Sequence, residues 1–416
     1  MEGASSLTVL RERDFALFFW GQAVSVLGDG IFPIALAFAV LELGGSPTEL
    51  GLVLVAGILP QVLFLLVGGV WADRLPRRTI MIAADAVRAV IQAVTAVLLL
   101  SGEARIWQLA VLYALHATAS AFFNPAATAL VPQVTPRDRL QQANALLGMT
   151  RSLAAGLGAG LGGVLVSLVS TGGAVAFDAC TFVVSAACLA ALSLRSAGAA
   201  TRTRFLSELR AGFDEVRRHR WLWLGLINAF LFLMLVVAPF EVIGPVVARR
   251  ELGGAFAWGL ILTGFSVGML LGGLVMLRVR FDRPLFVAGL LFLPTGIAPL
   301  LLALAAPAWT IALAYMVEGF AAGIFVTSWE TALQFHIRPE MLARVGAWDW
   351  LGTIGGLPLG YALTGPIVDA VGTGPTLVAV AGVSILLALV FVLTSDLRNL
   401  RIEGPVPVPN PGVSGV

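Results

Sequence analysis

Four ionisable residues interrupt long apolar runs of this 416-residue chain: Asp29, His116, Arg151 and Glu318. A charge in the hydrocarbon core of a bilayer costs about 3 kcal/mol even on lenient scales, so such residues face a wet path or a partner. Removed from water, a carboxyl group favours its neutral form and can load and release a proton as its surroundings change. Asp29 has no basic residue nearby on its own helix and is expected to be the proton-coupling or cation-recognising acid. Asp85 and Arg88 stand three apart, close enough on a helix to meet, and are read as a structural ion pair within the membrane. Glu318 and His116 are second-tier candidates, with His116 either a hydrogen-bonded core histidine or a proton relay. Arg151 can pair with one of these acids or bind an anionic substrate group. Asp178, Glu241, Glu330 and Asp349 lie nearer helix ends and are expected to reach interfacial water.

The elements that must hold these residues are membrane helices. Hydrophobic residues make up 58% of the chain and charged ones 12%, with a mean hydropathy of +0.93; a soluble domain carries roughly twice that charged fraction. At about 20 apolar residues per crossing, twelve spans are expected, at 15–41, 50–72, 79–100, 107–130, 141–168, 173–194, 221–247, 255–277, 285–306, 309–333, 343–368 and 374–394. All 26 basic residues are arginine. One set of connections holds 21 of them; the other holds only Arg105, Arg249 and Arg250, while Arg88 and Arg151 fall inside spans. The positive-inside rule then puts both termini in the cytoplasm of a cell whose inner membrane the chain crosses. Cys180 and Cys188, eight apart on one helix, lie roughly 12 Å from each other, too far to bridge. No metal-ligand cluster and no phosphate-cradling loop is evident, so no cofactor is implied. The seven arginines between 195 and 220 sit between two spans, where topology accounts for them without a nucleic-acid partner.

The chain is also written twice. Glu42-Leu43-Gly44-Gly45 returns as Glu251-Leu252-Gly253-Gly254, Trp107 and Tyr113 as Trp309 and Tyr315, and Thr128-Ala129-Leu130 as Thr331-Ala332-Leu333. The offset drifts only from 209 to 202. The expected organisation is an all-α membrane protein of twelve helices in two pseudo-symmetric six-helix bundles. The first covers residues 1–194 and the second 221–395. Between them, 195–220 forms a cytoplasmic linker whose Phe205, Leu206, Leu209, Phe213 and Val216 recur at helical spacing, as in an amphipathic helix on the inner leaflet. The Pro-rich tail within 396–416 is expected to be unstructured.

The stretch from Gly68 to Arg78, between the second and third spans, reads GGVWADRLPRR. It resembles the G-x-x-x-D-R-x-x-R-R loop signature of the major facilitator superfamily, with Pro76 where that family often has glycine. The resemblance implies two like-oriented bundles with a site between them and spans one, four, seven and ten lining the path. It also implies a conformational latch at Gly69, Asp73, Arg74, Arg77 and Arg78. In the fifth span, Gly158-Ala159-Gly160-Leu161-Gly162-Gly163 resembles the family's antiporter motif G-P-x-x-G-G, with Ala159 for the proline; Gly158, Gly160, Gly162 and Gly163 serve either as a hinge or as tight packing. Ser25–Gly30, Phe122–Ala126, Phe177–Phe182 and Gly212–Val216 are similar to the enterobactin-exporter and macrolide-efflux-like branch.

The function this implies is that of a secondary active transporter working by alternating access and not an enzyme. Its expected activity is proton-coupled export of small amphipathic compounds, a drug or a siderophore-like metabolite. The partners are the small-molecule substrate, protons and the lipid bilayer, with the chain acting as a monomer. An uptake carrier for a polar nutrient is the alternative, disfavoured because the spans are poor in Asn and Gln. A membrane-embedded transferase would need clustered acids or histidines at a membrane face. A transporter-derived sensor would have lost acids such as Asp29. Phe122, Phe123, Phe230, Phe232, Phe325, Trp329, Trp348 and Trp350 either line an apolar cavity or pack between helices.

Overall fold

A computed structural model describes residues 8–67, 76–193, 205–279 and 281–401, and every regular element among them is a helix. The first half comprises α1 (Arg13–Glu42), α2 (Pro47–Val67), α3 (Arg77–Ser101), α4 (Ile106–Val134), α5 (Leu140–Leu168) and α6 (Thr171–Ala190). A connecting helix α7 (Phe205–Arg218) leads into the second half. There the seventh span is α8 (Arg220–Phe232) and α9 (Ala238–Val247), the eighth α10 (Ala255–Met276), and the ninth α11 (Pro284–Leu291) and α12 (Ile297–Ala303). The tenth is α13 (Ala308–His336), the eleventh α14 (Pro339–Ile354) and α15 (Gly356–Val371), and the twelfth α16 (Thr373–Leu393). Eleven of these spans are long and apolar enough to cross a membrane. α2, 21 residues long and also apolar, runs up to the edge of the described residues.

The internal repeat has a backbone cause. Gly44 and Gly253 occupy matching turns at φ 81° and 94°, a left-handed conformation that a side chain resists. Arg220 and Glu251 are two residues further apart than their counterparts Arg13 and Glu42. The extra length is taken up in two π turns, Leu233–Val237 and Ala248–Leu252, each of which accommodates one more residue without breaking the helix. α4 and α13 are both 29 residues long, so His116 and Glu318 stand at equivalent positions of the two halves.

Polarity is inverted relative to a soluble fold. α3 buries Asp85, Arg88, Gln92 and Thr95 on the face that meets α4 and α6, with Arg88 reaching Asp29 of α1, while Val87, Val90, Val94 and Val97 on the opposite face are exposed. Glycines bring the helices together: Gly264, Gly268 and Gly272 of α10 face the carbonyls of Ala312, Met316 and Phe320 on α13, the small-residue spacing that lets backbones touch in lipid.

The two halves meet mainly where α5 packs on α10 and α2 on α15. α5 presents glycines on two opposite sides. Gly158 and Gly162 lie against the α1 backbone at Gly30 and Ile31; Gly160 and Gly163 lie against Thr263, Ala255 and Gly259 of α10. At the end of the bundle away from the termini, the Arg249 guanidinium donates to the Leu41 carbonyl and Thr48 Oγ1 donates to Asp369 Oδ2 at 2.7 Å. Both bonds cross from one half to the other. The connecting helix α7 docks on α14: Val216 is buried, and Glu215 receives Arg218 at 3.1 Å, His219 at 3.6 Å and Arg338 at 3.7 Å.

Candidate functional site

A cavity of about 630 Å³ opens between the halves. α1 contributes Asp29, Gly30, Pro33 and Ile34; α5 contributes Ala159; the remaining walls come from the second half. The cavity runs from Asp29 and Glu241 at mid-height towards the end that carries the chain termini, reaching Gly225, Gly289 and Phe391. Phe232, Phe265, Phe292, Phe325 and Phe391 make the walls aromatic. Of these only Phe232 and Phe325 stand out in the sequence. Phe123 instead packs against Arg88, and Trp329 donates through Nε1 to Asp349 at 2.8 Å.

Asp29 is the point at which the polar interior of the first half reaches the cavity. Its side chain is 37% exposed, whereas Arg88 and Asp85 behind it are 3% and 0%. Arg88 donates to Asp85 Oδ1 through Nη2, while its Nη1 lies 3.9 Å from Asp29 Oδ1. His116 Nε2 approaches the same Asp29 oxygen at 4.0 Å. The guanidinium is clamped between the rings of Phe123 and Phe182, each 4.3 Å away, an arrangement that holds a cation without using up its donors. The expected Asp85–Arg88 pair is therefore formed, and Asp29 also gains a cation, from α3 rather than from its own helix. Arg88 Nε, Gln92 Oε1 and His116 Nδ1 are buried with no hydrogen-bond partner among the described residues. The cluster thus keeps unused hydrogen-bonding capacity.

Two acids expected at interfacial water lie elsewhere. Asp178 is fully buried: it accepts from Gln92 Nε2 at 2.6 Å and from Thr181, in the space left by the missing side chain of Gly28. The reason is that α6 begins at Thr171, placing Asp178 two turns inside the bundle. Glu241 lines the cavity and receives a hydrogen bond from the Tyr361 hydroxyl. Asp349 is likewise tied to Trp329. Residue spacing placed Glu241 near a helix end and not in the cavity; the further signal was the chain's three tyrosines, all within spans, since Tyr113, Tyr315 and Tyr361 lie within electrostatic reach of this carboxylate.

Glu318 lines the cavity from α13, is 5% exposed, and its carboxylate makes no hydrogen bond or ion pair among the described residues. Arg151 has an exposed side chain and is not among the residues that line the cavity. In the loop signature, Gly69, Asp73 and Arg74 lie outside the described residues. Arg77 donates to the Ala129 carbonyl at 2.7 Å, and Arg78 to the carbonyls of Leu189 and Ala190. Arg78 thereby caps the negative end of the α6 dipole.

Comparison with known proteins agrees with this architecture. The profile of a family described as transmembrane secretion effector matches residues 4–410. Macrolide efflux protein A of Streptococcus pyogenes is 24% identical over 405 residues, covering 94% of this chain and 98% of the relative. Multidrug efflux pump Tap of Mycolicibacterium fortuitum is 27% identical over 411 residues, covering 95% and 98%. Among solved structures, the nucleoside transporter NupG superposes with a TM-score of 0.69 at 14% identity, covering 91% of this chain and 98% of that one. A bacterial homologue of the human lysosomal transporter Spinster, solved in an inward-facing and unoccupied conformation, gives 0.66 at 15% identity, covering 94% and 95%. The shared fold is that of major facilitator transporters.

Proposed function

This chain belongs to the transmembrane secretion effector family of membrane transporters, and from that premise we propose that it exports small amphipathic compounds in exchange for protons. The observation that carries the reading is the 630 Å³ aromatic cavity between two six-helix halves, with Asp29 at its polar edge. A volume of that size holds one drug-sized molecule. Export, rather than uptake of a polar nutrient, is supported by the apolar walls and by the efflux activity in the names of the relatives, so macrolides and other drugs are the first compounds to test.

The proton site in this reading is Asp29, which faces the cavity while Arg88 and His116 stand behind it. With both termini in the cytoplasm of a bacterial inner membrane, the cavity faces the cytoplasm and the Arg249–Leu41 and Thr48–Asp369 contacts close the outer end. Alternating access then requires these contacts to part while the opposite ends meet. Gly160 and Gly163 lie on the seam along which the halves move, while Gly158 and Gly162 fix α5 against α1 of its own half. The loop bearing Gly69, Asp73, Arg74, Arg77 and Arg78 is the latch of the other state. One chain contains both halves, so a monomer suffices.

The test is transport by purified protein in liposomes, using a radiolabelled macrolide with and without an inward proton gradient. The gradient accelerates export by the wild type, and Asp29→Asn abolishes that acceleration while downhill exchange persists. A wild type indifferent to the gradient refutes proton coupling; a fully gradient-driven Asp29→Asn refutes the role of Asp29.

A further inference from the structure

The three carboxylates of the cavity are not equivalent. Asp29 has Arg88 at 3.9 Å. Among the described residues Glu241 and Glu318 have no such neighbour: no arginine or histidine lines the cavity, and neither acid forms an ion pair. Their surroundings are phenolic and aromatic instead. The Tyr361 hydroxyl donates to Glu241 Oε2, and Oε1 has no hydrogen bond among the described residues. Tyr315, one turn before Glu318 on α13, lines the cavity and lies within electrostatic reach of both acids. It is held there by Phe240 and Phe265, with ring centroids 4.7 and 4.9 Å away. Glu318 is 95% buried by its own helix and neighbours, lines the cavity, and has no hydrogen-bond or ion-pair partner among the described residues.

We propose that Glu241, Tyr315 and Glu318 form a subsite for the positively charged group of a lipophilic organic cation. A carboxyl group at membrane depth gives up its proton most readily when another positive charge takes its place, and with no protein cation between these two acids that charge comes from the cavity. The aromatic walls accept the same ligand twice over: their faces attract a cation, and their area covers its apolar body. A strongly hydrated metal ion or ammonium does not fit walls of this kind; a charge spread over a hydrophobic body does. The division of labour follows the pseudo-symmetry. The first half keeps its cation, Arg88, and handles Asp29; the second half, with Glu318 at the position equivalent to His116, takes its cation from the cargo.

The inference rests on reading the cavity as the cargo site, but its test needs neither turnover nor a gradient, so it can fail or succeed independently of proton-coupled export. The probes are radiolabelled tetraphenylphosphonium, which cannot lose its charge, and triphenylphosphine oxide, an uncharged analogue of similar shape. Both are measured at equilibrium on the full chain in lipid nanodiscs. The wild type prefers the cation. Glu241→Gln and Glu318→Gln each weaken cation binding by about tenfold, the scale of one charge-assisted contact, and leave the neutral analogue within about twofold. Glu241→Asp and Glu318→Asp, which keep the charge, retain the preference. Equal affinity of the wild type for the two probes overturns the proposal. So does a preference that survives both glutamine substitutions, whether made singly or together.

Discussion

Replacing Arg88 by methionine separates what holds the first half together from what the cavity uses. Methionine keeps much of the side-chain volume and preserves contact with Phe123 and Phe182 through its sulfur. The loss is therefore mainly electrostatic. Asp85 has no exposed surface and Arg88 is its hydrogen-bond donor, so the substitution strands a carboxylate in the protein interior. Removing one partner of a buried pair costs about 3–5 kcal/mol. The double substitution Asp85→Asn/Arg88→Met removes both charges and should recover at least about 2 kcal/mol of that loss, the size of coupling expected for groups in direct contact. Asp29→Asn should cost less than about 1 kcal/mol, because its carboxylate is 37% exposed and 3.9 Å from the guanidinium, where solvent screens the pair. The assay is unfolding in mixed micelles by SDS titration, followed by the fluorescence of the ten tryptophans. A loss below about 1 kcal/mol for Arg88→Met, or a double variant no more stable than the single one, would refute the assignment of Asp85–Arg88 as the structural pair.

The glycine packing of α5 on α1 and the closed end make separate predictions. A Cβ on Gly158 would lie 2.7 Å from Gly30 Cα and 2.8 Å from the Leu27 carbonyl, backbone atoms that cannot swing aside. Gly158→Ala should therefore cost about 1–3 kcal/mol in the same unfolding assay, whereas Gly148→Ala, with nothing within 4 Å of the new atom, should not destabilise; equal effects would contradict the packing argument. At the closed end, cysteines replacing Thr48 and Asp369, in a background lacking Cys180 and Cys188, should be joined by a short bifunctional thiol reagent and transport should then stop. Cross-linked protein that still transports would mean that this contact need not open during the cycle.

The sequence alone determined the number of crossings, their order, the duplication and the residues that are anomalous in lipid. These follow from constraints that act on each helix separately. A backbone in hydrocarbon must satisfy its own hydrogen bonds, so about 20 apolar residues make a span. Three residues make a helical near-neighbour, so Asp85 and Arg88 could be paired in advance. Asp29 and Glu318 stood out because each is an acid within an apolar run. Their common membership of one cavity was a matter of tertiary structure, as were the approach of Arg88 to Asp29 from α3, the depth of Asp178 and Glu241, and the exposure of Arg151. The physical reason is azimuth. In water, polarity tells which side of a helix faces the core; in a bilayer, lipid and core are both apolar, and that signal is lost for every helix without a polar stripe like that of α3. Rotation is set instead by where glycine permits close approach, as at Gly28 beneath Asp178 and Gly158 against Gly30, and those fits exist only once two helices are side by side.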